Sequence, residues 1–217
     1  MRTATVVAVS VVALLLLAGS VMAEPSLNGY TGLLRLPTAD VQPAQTYAVG
    51  VTSSELQDWD DFGYYGTFGI GSQTEAGLML WRDDDSAGNA TFLHLKRALS
   101  DEGERPQIAA GIFDLGDDIE TTVYLVASWA QGNVVGEVDG RTVRFLNLHA
   151  GFGAGQIQDF FFGADVRLGE NLIVMGEFVD DDVNLGVRLS PSPGFTVDAG
   201  LMDVDDLAVN VSYTGSL

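Results

Sequence analysis

Apolar and polar side chains alternate along this chain, most regularly over its last third. Phe160, Phe162, Ala164, Val166 and Leu168 fall on one face, with Phe161, Gly163, Asp165 and Arg167 on the other. Leu172, Val174, Gly176 and Phe178 then oppose Ile173, Met175 and Glu177, and Val183, Leu185, Val187 and Leu189 oppose Asn184, Gly186, Arg188 and Ser190. Phe195, Val197, Ala199 and Leu201 oppose Thr196, Asp198 and Gly200, and Leu207, Val209, Val211 and Tyr213 oppose Ala208, Asn210 and Ser212. A period of two marks strands whose faces meet different surroundings. The connections between them are short, which makes neighbours antiparallel. Upstream the pattern predicts strands near 44–53, 62–71, 74–83, 90–99, 106–114, 120–130 and 142–153. That makes about twelve, within bounds of ten to fourteen. An even number returns both chain ends to one side and lets the sheet close. The predicted fold is all-β, an antiparallel up-and-down transmembrane β-barrel.

The first 23 residues read differently. Arg2 precedes an apolar run from Val6 to Ala18, and Val21-Met22-Ala23 is a small-x-small cleavage site, as in a secretory signal peptide. The domain reading is therefore a cleaved leader at 1–23, a segment at 24–43 that plugs the barrel or adds a strand, and a barrel at 44–217.

Alternation alone leaves open which face points inward. A soluble barrel would put its large apolar groups inside, around an apolar ligand. A membrane barrel reverses this, with Gly and polar groups toward the lumen. The leader allows export to the outer membrane of a diderm bacterium. The polar face carries isolated charges of both signs (Asp165, Arg167, Glu177, Arg188, Asp198), and the chain holds one lysine, Lys96, where a soluble surface would be lysine-rich. Tyr64, Trp81, Trp129, Phe152, Phe160, Phe178, Phe195 and Tyr213 lie near strand ends, as an interfacial aromatic belt requires. The membrane barrel is the reading adopted, with lipid as its first partner.

Charge then sharpens the topology. The chain has 30 Asp and Glu against 10 Lys and Arg, a formal charge of −20, which argues against nucleic-acid binding. With no Cys, thiolate metal sites and disulfides are excluded. The turns on the side away from the chain ends carry Glu55, Asp58, Asp60 and Asp61; Asp83 to Asp85; Asp114, Asp117, Asp118 and Glu120; Asp159; Asp180 to Asp182; and Asp203, Asp205 and Asp206. The opposite turns carry fewer acids, Glu75 counted among them, and some are offset by Arg97, Arg105 and Arg141. One rim is expected to be strongly acidic and to face outward.

Asn28 to Gly50, NGYTGLLRLPTADVQPAQTYAVG, resembles the entry motif of the YjbH/WbfB-like outer-membrane family. Gly29, Gly32, Leu33, Pro37-Thr38-Ala39 and Pro43 fall where that motif has its glycines, Gly-Leu, Pro-Thr-Ala and a further proline. The resemblance implies a β-barrel associated with exopolysaccharide biosynthesis, with surface polysaccharide or its export machinery as a partner. Familiar members are longer, and this chain has room for one small barrel.

Chemical candidates are few. Two His with lumen Ser or Asp residues could mimic a membrane hydrolase, but no nucleophile motif surrounds His94 or His149, which alternate onto the polar face and are expected to be hydrogen-bonded lumen residues. The carboxylates Asp83, Asp84, Asp85, Asp180, Asp181, Asp182, Asp203 and Asp205 are hard oxygen donors and the weak candidates for Ca²⁺ or Mg²⁺. Without the spacing of a Ca²⁺-binding hand, they suit diffuse divalent-cation bridging better. The charges Asp165, Arg167, Glu177, Arg188 and Asp198 are expected to lie close across neighbouring strands and to pair in the lumen. Gly151-Phe-Gly-Ala-Gly155 falls at a strand end with no helix predicted after it, so it is not a dinucleotide fingerprint. The expectation is a non-enzymatic barrel without a cofactor. A passive small-solute channel and a secreted soluble barrel binding an apolar ligand are the alternatives.

Overall fold

The computed structural model describes residues 23–53, 62–83, 88–101, 106–131, 136–138, 141–169 and 171–217. Among them are thirteen strands: β1 (Thr46–Ser53), β2 (Phe62–Ile70), β3 (Thr74–Asp83), β4 (Gly88–Ala98), β5 (Gln107–Phe113), β6 (Thr122–Gln131), β7 (Gly136–Val138), β8 (Arg141–Ala154), β9 (Asp159–Leu168), β10 (Leu172–Val179), β11 (Asp182–Ser192), β12 (Phe195–Met202) and β13 (Asp206–Ser216). Consecutive strands other than β6 and β7 pair antiparallel, β6 pairs directly with β8, and β1 pairs with β13 from Thr46 opposite Ser216 to Ser53 opposite Val209. The result is a closed antiparallel barrel of twelve strands. The three-residue β7 is an extra rung on the start of β8. The twelve barrel strands coincide with the twelve predicted from alternation.

Turn chemistry sets the pairing at several rim positions. β10 and β11 are joined by Asp180 and Asp181 alone, with φ of 56° and 69°. Two residues with positive φ twist a hairpin in the sense of its strands, and Asp tolerates that conformation better than most residues. Asp203 at the β12–β13 turn and Asp159 at the start of β9 also have positive φ. The acidity of this rim is thus partly a consequence of how its hairpins turn.

The apolar face points outward. On β11, Leu185 is 48% exposed while its neighbour Asn184 is 1% exposed. The same outward face carries Val49, Phe68, Leu80, Leu93, Leu125, Phe152, Phe162, Val174, Leu201 and Val211, so it runs round the barrel. Inside lie Glu75, His94, Lys96, Ser128, His149, Asp165, Glu177, Asn184, Arg188, Asp198 and Asn210, all buried.

Two sequence expectations need correction. Trp81 does not join the outer aromatic belt; it shares the inward parity of Met79 and packs on the buried Tyr30–Tyr65–Met79–Phe92–Phe113 cluster. Glu75 is not a turn residue but a fully buried member of β3, which begins at Thr74. Residues 1–22 of the expected leader lie outside the described residues, as do Glu55, Asp58, Asp60, Asp61, Asp84 and Asp85.

The interior is filled by the chain itself. Residues 24–43 enter from the end that carries the termini and fold into a compact double turn, with bridges Pro25–Thr31 and Gly32–Pro37. Leu27, Tyr30, Leu33, Leu34, Leu36 and Ala39 of this plug are buried among wall residues that include Tyr124, Val126, Phe161, Met175 and Val179. Glycines in the wall make room for it. A Cβ on Gly186 or Gly200 would come within 2.8 or 2.7 Å of Leu34, and one on Gly163 within 2.8 Å of Leu33.

Candidate functional site

The wall grips the plug mainly by its backbone. Glu177 accepts the N–H groups of Leu34, Arg35 and Leu36 at 3.2, 2.8 and 3.0 Å, and Asn184 steadies the same carboxylate at 3.0 Å. Glu75 accepts the N–H groups of Thr31 and Gln42 at 2.9 and 2.7 Å, together with the Thr31 hydroxyl. Beside it the Lys96 ammonium lies 3.1 Å from the Glu75 carboxylate and donates to the Thr31 carbonyl at 2.7 Å. Thr67 donates to the carbonyl of Gly29, and Ser128 accepts from the N–H of Ala39.

Arg188 does the same for carbonyls. Its guanidinium is held by Asp198 at 2.7 and 3.0 Å, and it donates to the carbonyls of Pro25, Gly32 and Leu33 and to Glu24. Asp198 also accepts from Asn210, which accepts in turn from Tyr65. Buried charges are tolerable only when paired and fully hydrogen-bonded, and here the plug supplies much of that pairing.

Of the lumen charges read from the sequence, Arg188 and Asp198 pair directly, whereas Glu177 binds plug backbone. Asp165 lies in another group: its two oxygens meet His149 Nε2 and Asn147, each at 2.9 Å. Arg167 is half-buried and lines a cavity below the plug. His94 packs edge-on to Tyr30. Burial pushes the Tyr30 hydroxyl up from its ordinary value, so it stays neutral, accepting from Asn28 and donating to the carbonyl of Arg35.

The acidic turns behave individually. Asp180 and Asp182 face Arg35 at the tip of the plug, at 3.2 and 3.9 Å. Asp180 also accepts from the N–H of Gln158. Buried Asp114 accepts the N–H groups of Asp118, Ile119 and Glu120, so it organises the β5–β6 loop. Asp181, Asp203 and Asp205 are exposed, and Asp83 ends β3. Among the described residues no group of three or more His, Asp or Glu is placed to hold a metal ion.

No protein-family model and no curated protein matches the chain.

Below the plug, at the end that carries the termini, lies a cavity of about 650 Å³, within the size range of small-molecule sites. Its walls mix Asp40, Asp101, Gln107, Asn147, His149, Asp165, Arg167 and Arg188 with Leu33, Val41 and Ile173. The Glu75–Lys96 pair and Ser128 were not singled out as site residues in the sequence. A signal for the pair existed: Lys96 shares the inward parity of His94, and a lone lysine inside a barrel requires a buried carboxylate.

Proposed function

We propose that this protein is an outer-membrane β-barrel of a diderm bacterium, sealed by its own N-terminal segment and serving as a structural or transport-associated component of the envelope. The observation that carries the reading is the closed ring of strands that presents a continuous outward band of large apolar side chains while its buried charges face in. In water such a ring would expose a continuous apolar band far larger than monomeric soluble proteins carry. In a bilayer the same band is the favourable surface. The leader read at 1–23 supports export.

The resemblance of residues 28–50 to the YjbH/WbfB-like motif extends the proposal to a link with surface polysaccharide. The exposed rim carboxylates Asp181, Asp203 and Asp205 would meet anionic glycans through diffuse divalent cations. The plug favours a closed barrel over an open small-solute channel, and the occupied interior disfavours a carrier of a separate apolar ligand.

Envelope fractionation tests the location. Outer-membrane recovery, with a mobility shift between unboiled and boiled samples in SDS, is expected. A soluble periplasmic product without that shift would overturn the membrane reading. Planar-bilayer recordings test the seal: the intact chain is expected to show no sustained conductance, and steady open steps would favour the channel.

A further inference from the structure

Strand register brings together three side chains that no linear motif announces. Ser128 on β6 lies opposite His149 on β8, and His149 lies beside Asp165 on β9. Ser128 Oγ is 2.7 Å from His149 Nδ1, and His149 Nε2 is 2.9 Å from Asp165 Oδ1. Asn147 fixes the other Asp165 oxygen at 2.9 Å.

Proton positions follow from this arrangement. With the imidazole neutral, the Asp165 oxygen that faces Nε2 is the acceptor, so the ring hydrogen sits there and Nδ1 keeps its lone pair. The Ser128 hydroxyl therefore donates to Nδ1, and the Ala39 N–H occupies the oxygen from the other side at 2.8 Å. A hydroxyl aimed at a base, with the base oriented by a third group, is the arrangement that activates a serine nucleophile. The ring is engaged through Nδ1 rather than through the Nε2 of the familiar serine-protease relay, but either nitrogen can take the proton.

The relay borders the 650 Å³ cavity, whose wall includes His149, Asp165 and Ala39. Gln107 stands opposite Ser128 in the β5–β6 register and lines the same cavity. Ser128 itself is buried and does not line the cavity: the N–H of Ala39, which does, sits on its oxygen, so an ester reaches Ser128 only where Ala39 and the exposed Asp40 give way.

We propose that Ser128, His149 and Asp165 form a nucleophile, base and orienting acid for hydrolysis of small carboxylic esters that enter the cavity from the end carrying the termini. Leu33, Val41 and Ile173 suit a short acyl chain, and the polar wall suits a polar alcohol. Ser128 Oγ attacks the ester carbonyl as its proton passes to His149 Nδ1. The ester C–O bond then breaks, and His149 returns that proton to the departing alcohol. Water attacks the acyl-serine, loses a proton to His149, and releases the acid as Ser128 regains its hydrogen. The inference stands apart from the membrane reading, because it depends only on the lumen.

The test uses the folded full-length barrel in detergent, with the heat-dependent mobility shift as the check on folding. A fluorophosphonate is expected to label the wild type at one residue and p-nitrophenyl acetate to be hydrolysed, with both reactions lost in Ser128→Ala. His149→Asn is expected to lower both rates by about 10²–10⁴-fold. Because the chain has no cysteine, Ser128→Cys places a single near-isosteric thiol at the site. Its alkylation by iodoacetamide is expected to titrate well below the ordinary thiol value of about 8.5, and to return there when His149→Asn is added. Labelling that survives Ser128→Ala overturns the proposal. So does a folded protein whose Ser128 resists the fluorophosphonate and whose Ser128→Cys variant resists alkylation, since Ser128 would then only anchor Ala39.

Discussion

Replacing Lys96 with Met removes one half of an ion pair whose side chains are both wholly buried. Met fills nearly the same volume, so the change is electrostatic rather than a cavity. Glu75 keeps its donors from Thr31 and Gln42 but loses the ammonium at 3.1 Å, and the Thr31 carbonyl loses its donor. Breaking a buried pair from one side costs about 3–5 kcal/mol, because the remaining charge has no counterpart. Adding Glu75→Gln removes that charge while keeping an amide oxygen for the plug, so the double variant is expected to recover about 2 kcal/mol or more of the loss. The assay is urea unfolding in lipid vesicles, followed by tryptophan fluorescence. Trypsin supplies a second readout, since the bond after Arg35 is protected only while the plug stays seated. A Lys96→Met cost below about 1 kcal/mol, or a double variant no more stable than the single, would refute the view that this pair locks the plug.

Three further outcomes follow from the same geometry. Gly69→Ala is expected to loosen the plug and expose Arg35 to trypsin, because its Cβ would collide with the Pro43 carbonyl oxygen, where only backbone can yield. Val187→Asp on the outward face is expected to cost up to about 2 kcal/mol in vesicles, and Asn210→Lys on the inward face to prevent recovery of a heat-shifting species, because Asn210 is fully buried between Tyr65 and Asp198. Glu177→Gln is expected to cost about 2–3 kcal/mol, since one of the oxygens receiving plug N–H groups becomes a donor; unchanged unfolding midpoints would show that these contacts are incidental.

The strand framework was legible because the period of two is dictated by the barrel itself: Leu185 out and Asn184 in is one physical fact repeated round the ring. The direction of the faces was also legible from the sparse charges and the lone lysine. What alternation could not show is that the lumen holds large apolar residues. Phe92, Phe113, Tyr124 and Phe161 occupy inward positions because Tyr30, Leu34 and Leu36 of the plug need an apolar lining, and that requirement is invisible until the plug is seated. At Trp81 the position near a strand end misled, because its inward parity with Met79 has meaning only once the apolar lining is known. The partners of Glu75 and Ser128 were hidden because they lie 21 to 89 residues away in sequence and are chosen by strand register and by the seating of the plug.

Pairing of β1 with β13 joins the two ends of the chain, and the Leu217 N–H donates to the carbonyl of Gln45. The seam therefore cannot form until the last strand has been delivered, and contacts this far apart in sequence make closure slow. The plug is tethered directly to the first strand, so it is available before any of the wall that will enclose it. Strands that curl round it find their buried charges answered as they arrive, and the final seam then traps it without threading. On this route the N-terminal segment acts as a mandrel, and a chain lacking it would have to close twelve strands round an empty, charge-lined interior.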